Sequence, residues 1–516
     1  MIIGVATVVA LGLLMSSMDR TTSAEVDVLT LYSAAGLKAP VERIVNDYEK
    51  EYGVQVEIQH GGSQTLLSQL EIGGAADLYL AGDASYIDLA RQKGLVAERI
   101  PVASMKPVIA VAPDNPRGVT GIDDLKRTDI RVALPDPDAT ALGKLTRGLL
   151  RESGDWDAVM RRVTNSRGAT TKPTEPDAAV AVKSGGVDAA IVWQPTARRM
   201  GLNAVQAAAL AGGEAEVAIG VVSGTDTPTA ALRFARYLAA EDRGLKRFAE
   251  AGFGVVEGDK WAVKPELIFY YGSVNRNAID PTIEAFQKRE GVTIVAKPAG
   301  CGMLTSEMKT FIESGKMDLF PDMYLACDVY YMTHPPEVSQ SFARPAMVSE
   351  TDIVLVTQAG NPKDIQGLED LRTRDDLRIV VGEPDQCTLG ALTRIMLNKV
   401  WGEGRYNEWV AEKQMPRKPS SAMMVPDILA RASDVAIAYK TDTLAERDKL
   451  HVIPIEHPSA KAVQPFSVYK GTDYPHLAAR FFERIARHPE LYRKAGFRWN
   501  LSDANDQPMV NPFAKP

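Results

Sequence analysis

The sequence predicts an α/β protein made of two tandem copies of one unit. Three observations carry this. After Glu25, short apolar runs rich in β-formers alternate with segments of helical periodicity, the pattern of an α/β architecture. Everything from about Leu29 to Phe253 returns, in order, from Ile268 to Phe497, which is too long a period for a solenoid and marks a duplicated domain. One strand-to-helix turn, Pro135-Asp136-Pro137-Asp138-Ala139-Thr140-Ala141-Leu142-Gly143, is written again as Gly382-Glu383-Pro384-Asp385-Gln386-Cys387-Thr388-Leu389-Gly390.

The first elements read as a strand at Val28–Tyr32, a helix at Pro40–Tyr52 and a strand at Val54–Gln59. Strands at Ile130–Leu134 and Leu377–Val381 feed the two copies of the turn, and Leu at helical spacing follows each. A helix start of this kind exposes unpaired backbone N–H groups and is suited to holding an anion. The blocks of the repeat keep a nearly constant offset: 238 for Gly291 against Gly53, 245 for Asp328 against Asp83, 246 for Asn361 against Asn115 and for Tyr439 against Trp193, and 244 for Phe497 against Phe253. The seam falls between Gly254 and Leu267.

At 516 residues the chain exceeds one ordinary core. With 45% apolar and 24% charged residues it has a globular composition, and a net charge of −7 argues against a nucleic-acid surface. A small anion is still allowed, because neutral dipoles in a closed cleft can hold it. Ile2 to Met18 is uncharged and mostly apolar, followed by Asp19-Arg20. It reads as an export segment: short against the roughly 20 residues of a membrane span, yet without a basic start. A cleaved signal peptide, with Thr22-Ser23-Ala24 as its cleavage site, and a retained membrane anchor both remain open. The expected organisation is 1–25 as signal or anchor, 26–260 as the first unit and 261–516 as the second.

Ala34-Ala35-Gly36-Leu37 after a strand, the Gly61-Gly62-Ser63 turn, Ala76-Asp77-Leu78-Tyr79 with Asp83, Asn115-Pro116, Asp136-Pro137, Asp188 with Ile191-Val192-Trp193, and Gly252-Phe253 follow one another in the first copy. In that order the chain resembles the molybdate-binding type of periplasmic solute-binding protein that serves ABC importers. The resemblance implies two type II periplasmic-binding-protein-like units, each of two α/β lobes with a ligand cleft between them. It implies an extracytoplasmic protein that captures a small oxyanion such as molybdate or tungstate and delivers it to an importer permease. Within the family's pattern, Ser63 matches a ligand hydroxyl, Gly36 stands where the family has its first Ser, and Thr140 and Ala141 lie at the turn that offers backbone amides. Trp193 replaces the family's Tyr. In the second copy Tyr439 keeps that Tyr, Ser273 lies beside the first-turn position, and Cys387 and Thr388 occupy the amide turn.

All three cysteines lie in the second copy: Cys301 opposite Ser63, Cys327 opposite Gly82, Cys387 opposite Thr140. Loops after different strands converge at the strands' carboxyl ends, so the three thiols should be spatial neighbours. Three readings stay open. They are buried small side chains with one disulfide, a thiolate site of Cys301, Cys327 and Cys387 for Cu(I), Zn(II) or a thiophilic oxyanion, and a redox pair. No Cys-x-x-Cys is present, nor a Gly-x-Ser-x-Gly elbow, a His-Glu-x-x-His motif or a phosphate-binding Gly-rich loop. The expectation is therefore a binding protein rather than an enzyme, with a soft-metal or redox-handling envelope protein as the alternative. Asp83 and Asp328 read as helix caps.

Overall fold

The computed structural model describes residues 28–165 and 170–501. The N-terminal segment read as signal or anchor lies outside them. Among the described residues no helix is long and apolar enough to cross a membrane. Two compact units form, one from the described residues up to Leu238 with Lys246–Val255, the other from Ala239–Leu245 with Val256 onward.

The strands of the first unit are β1 (Val28–Ala34), β2 (Gln55–Gly61), β3 (Leu78–Ala81), β4 (Val96–Met105), β5 (Pro107–Val111), β6 (Val132–Pro135), β7 (Thr170–Lys172), β8 (Ala189–Trp193), β9 (Asn203–Val205) and β10 (Ala215–Val222). They make two five-stranded sheets, ordered β2-β1-β3-β10-β4 and β7-β6-β8-β5-β9. Each sheet is the centre of a lobe. Parallel strands β1, β2 and β3 are joined by helices Lys38–Tyr52 and Ser63–Glu71, while β10 runs antiparallel to β3 and β4. The central strands are buried along their length (every residue of β3, β5, β6 and β8), as expected where helices cover both faces of a sheet.

The second unit repeats the scheme with β11 (Glu266–Gly272), β12 (Thr293–Ala299), β13 (Met323–Leu325), β14 (Ala346–Gln358), β15 (Ile379–Gly382), β16 (Arg417–Lys418), β17 (Val435–Tyr439), β18 (Leu450–Pro454), β19 (Lys461–Val468) and β20 (Arg498–Trp499). Here the path is a single ten-stranded sheet, because β14 runs through both lobes where the first unit has β4 and β5 in succession. One difference lies at the junction: Pro107 opens β5 and has no N–H to donate, whereas its counterpart Ile353 donates to Ala460 O at 2.8 Å.

Two local devices recur in both units. Asp83 and Asp328 cap the helices that follow them, accepting the N–H groups of Ser85 and Tyr330 at 2.8 Å. Asp188 accepts both the amide and the guanidinium of Arg131, and Asp434 does the same for Arg378. Where the first unit stacks Arg233 over the Tyr52 ring at 4.5 Å, the second has a buried ion pair. Glu290, 2% exposed, holds Arg480, 6% exposed, through two bonds of 2.7 and 3.1 Å. Removing one partner strands a buried charge, at a cost of about 3–5 kcal/mol. Glu290→Ala is therefore expected to lower the melting temperature of the second unit by several degrees in calorimetry; a change under about 1 °C would contradict the assigned role.

Candidate functional site

In the first unit, chain segments from both lobes meet at the carboxyl ends of β1, β2, β6 and β8. The turn Ala35–Leu37, the start of helix Ser63–Glu71 and the start of helix Ala141–Glu152 line one cleft, with Met105, Thr174, Glu175 and Trp193 completing it. The cleft is small and partly open to solvent.

The donors are mostly backbone. Helix Ser63–Glu71 begins after Gly62 with no side-chain cap, so the N–H groups of its first turn have no intrahelical acceptor and its positive dipole end faces the cleft. Ser63 Oγ accepts the Gly82 N–H at 3.1 Å, and the Ser63 carbonyl accepts the Tyr79 hydroxyl at 2.7 Å. The Ser63 hydroxyl proton is thus free to donate into the cleft. Thr140 lines the same space, but its hydroxyl proton goes to Asp136 O at 2.7 Å and its oxygen accepts Gly143 N–H at 2.9 Å. What this turn offers a ligand is the amides of Ala141 and Leu142.

Glu175 was not singled out by the sequence, and it is the one carboxyl buried against this cleft. It starts helix Glu175–Lys183, is 4% exposed, and accepts the Trp193 N–H at 3.0 Å and the Thr196 hydroxyl at 3.1 Å. Burial pushes its carboxyl up to about 7, a rise that these two donors and Arg199 only partly offset, with Asp177 adding to it. A Cβ on Gly36 would stand 3.2 Å from Glu175 Oε2 and 3.4 Å from the Trp193 ring, a tight fit that asks these side chains to shift by a few tenths of an ångström.

The corresponding place in the second unit is built from other groups. Ser273 and Ser420 hydroxyls lie 3.0 Å apart. Tyr439 Oη is buried with no hydrogen-bond partner in the protein, the condition of a group that awaits a ligand or water. Tyr439 faces Cys327, Cys387, Asp328 and Cys301. Cys301 Sγ and Cys327 Sγ are in contact at 3.0 Å, and Thr388 stands beside both. Cys387 opens helix Thr388–Trp401, and burial pushes its thiol up to about 12, partly offset by the amides of Gly390 and Leu389. All three cysteines are free and buried. Among the described residues no three His, Cys, Asp or Glu groups are arranged to hold a metal ion. The carboxyl has also changed place. Ser421 stands opposite Glu175 and Asp442 opposite Thr196, both at offset 246. Burial pushes Asp442 up to about 7, with the Ser421 hydroxyl beside it partly offsetting the rise.

Gly36, Ser63, Thr140, Ala141 and Trp193 thus line one cleft, and Cys301, Cys327, Cys387, Thr388 and Tyr439 form one neighbourhood. Ser273 joins the latter unit through its contact with Ser420. Missed by the sequence reading were Thr174, Glu175, Ser420 and Ser421. The available signal was the repeat itself, which aligns Thr174-Glu175 with Ser420-Ser421 just after the short strands β7 and β16.

These features define a two-lobed binding unit, present twice. The family model described as bacterial extracellular solute-binding protein matches residues 29–254 and again 267–498. The chain belongs to that family and carries it in tandem. A binding protein of Haemophilus influenzae is 29% identical over 241 residues, covering 46% of this chain and 96% of the relative. The molybdate-binding protein ModA of Mycobacterium bovis is 25% identical over 234 residues, covering 44% of this chain and 84% of its own length. Among solved structures, the periplasmic molybdate-binding protein of Azotobacter vinelandii aligns with 14% identity and a TM-score of 0.38, over 44% of this chain and all of its own.

Glu175 makes stability depend on pH in a fixed direction. The unfolded chain releases this proton near 4.5 and the folded chain near 7, so the folded state binds more protons in between and stability falls as pH rises through that window. The full span is worth about 3 kcal/mol. Glu175→Gln should flatten the decline seen in urea unfolding between pH 5 and 7.5; an unchanged slope would mean that the carboxyl is ionised throughout.

Proposed function

We propose that this chain is an extracytoplasmic solute-binding protein whose first unit captures a small tetrahedral oxyanion of the molybdate or tungstate kind for an ABC importer, with the N-terminal segment serving export or anchoring. The observation that carries the reading is the first cleft: helix starts from both lobes and the Ser63 hydroxyl converge on one small cleft. A dianion held by neutral donors needs no counter-charge, and helix N-termini supply fixed positive ends. Kinship with molybdate-binding proteins supports the same class of ligand. Capture would proceed by closure of the lobes about β4, β5 and β10, with ligand binding shifting an open–closed equilibrium. The permease is the partner this reading requires.

Glu175 sets a condition on the ligand. As a neutral carboxyl it leaves the dipole field intact, and as a carboxylate it repels a dianion at close range. Affinity for an oxyanion that carries two charges across the range should therefore fall as pH rises through about 7, and Glu175→Gln should remove that fall.

The test is a thermal-shift and calorimetric panel on the full chain with molybdate, tungstate, sulfate, phosphate and arsenate. At least one should raise a melting transition by several degrees at saturating concentration. Ser63→Ala should weaken its binding about tenfold or more, the worth of a hydrogen bond to a charged group. If none of these anions shifts either transition, the proposal fails.

A further inference from the structure

Three positions around the first cleft differ together between the two units. Ala34, Ser63 and Gly82 of the first unit become Gly272, Cys301 and Cys327 in the second. In the first unit a Cβ on Gly82 would sit 3.6 Å from Ala34 Cβ and 3.7 Å from Ser63 Oγ, an ordinary contact distance. In the second unit a side chain does occupy that position, and its sulfur fills the volume that residue 272 has vacated. A Cβ on Gly272 would lie 2.1 Å from Cys327 Sγ and 2.8 Å from Cys301 Sγ. The three replacements are thus one packing solution, in which loss of the Ala34 methyl makes room for a pair of touching thiols. The surrounding hydrogen bond is kept: Cys327 N–H donates to Cys301 Sγ at 3.2 Å, as Gly82 N–H donates to Ser63 Oγ at 3.1 Å.

We propose that Cys301 and Cys327 form a reversible disulfide in the second unit's cleft, exchanging with a low-molecular-weight or protein disulfide. The sulfurs stand 3.0 Å apart, and closing a disulfide asks for an approach of about 1 Å. Cys301 is the attacking partner. Burial raises its thiol, but the Cys327 thiol with Thr388, Tyr324 and the Cys327 amide more than offset this and lower it below an ordinary cysteine, while Cys327 is raised.

The exchange balances in two steps. Because Cys301 is 0% and Cys327 3% exposed, exchange takes place in an opened form of the cleft, where the Cys301 thiolate attacks one sulfur of the incoming disulfide, forming a mixed disulfide and expelling one thiolate. Cys327, losing its proton to solvent, attacks Cys301 Sγ and expels the second. Two cysteine thiols are oxidised and one disulfide is reduced to two thiols. Cys387 remains a thiol, held at its helix start. Oxidation removes the S–H donors at the place where the first unit presents the Ser63 hydroxyl, so the second cleft changes its donor set while the first does not. That consequence rests on the cleft reading above, whereas the bond itself does not.

The full-length protein, reduced and freed of reductant, is equilibrated with excess oxidised glutathione, quenched with acid, denatured and alkylated. Intact mass should show loss of about 2 Da, for two hydrogens, with a single alkylatable thiol. Peptide mapping should link Cys301 to Cys327, and dithiothreitol should restore all three thiols. In Cys327→Ser the second step is blocked, and a glutathione adduct should accumulate on Cys301. Three alkylatable thiols after oxidation, or a link that includes Cys387, would overturn the proposal. Because the readout is covalent, it is independent of whether any anion binds.

Discussion

Each unit depends on one close approach of backbone to backbone. Gly62, ahead of helix Ser63–Glu71 in one lobe, lies so near the carbonyl of Ala139 in the other that a Cβ would stand 2.3 Å from that oxygen. The second unit repeats the contact, Gly300 against Gln386 O at 2.5 Å. Only glycine permits it. The approach draws the starts of two helices from different lobes to one point, and it is this that concentrates unpaired amides where the cleft forms. Ser63, Ala141 and Trp193, or Cys301, Thr388 and Tyr439, become neighbours because these two turns touch.

Much of this was legible in the sequence. The repeat offsets, the capping aspartates and the strand-end positions of Trp193 and Tyr439 rest on local patterns that chain order preserves, and the structure reproduces them. The export segment lies outside the described residues. The meeting of Cys301 with Cys327 followed from the general rule that loops converge at the carboxyl ends of strands. Two things were hidden. The fate of the Thr140 hydroxyl is decided by a carbonyl four residues back, so it caps its own helix and the turn presents only amides. The carboxyl of Glu175 is invisible as a site residue because an acidic residue at the start of a helix ordinarily reads as a dipole partner in solvent. Its burial depends on Trp193 and Thr196, which are remote in the chain.

The two copies have kept the scaffold and exchanged the chemistry. Both hold a buried carboxyl with a hydroxyl nearby, but the pair is reversed, Glu175 with Thr196 against Asp442 with Ser421. Both hold an aromatic residue at the end of the same strand, with an indole in one and a phenol in the other. Both use a group at the Ser63 position to accept the same backbone N–H, with oxygen in one and sulfur in the other. Such substitutions preserve packing volume while changing which protons and electrons are available. A family relationship that fixes the fold therefore leaves the two clefts free to differ in ligand.

The single strand β14 gives the second unit a mechanical property that the first lacks. Where Pro107 interrupts the ladder, bending between lobes strains no hydrogen bond at that residue. Where Ile353 continues it, the same rotation must distort the bond to Ala460 O. The two crossovers thus differ by one backbone hydrogen bond, present at Ile353 and ruled out at Pro107.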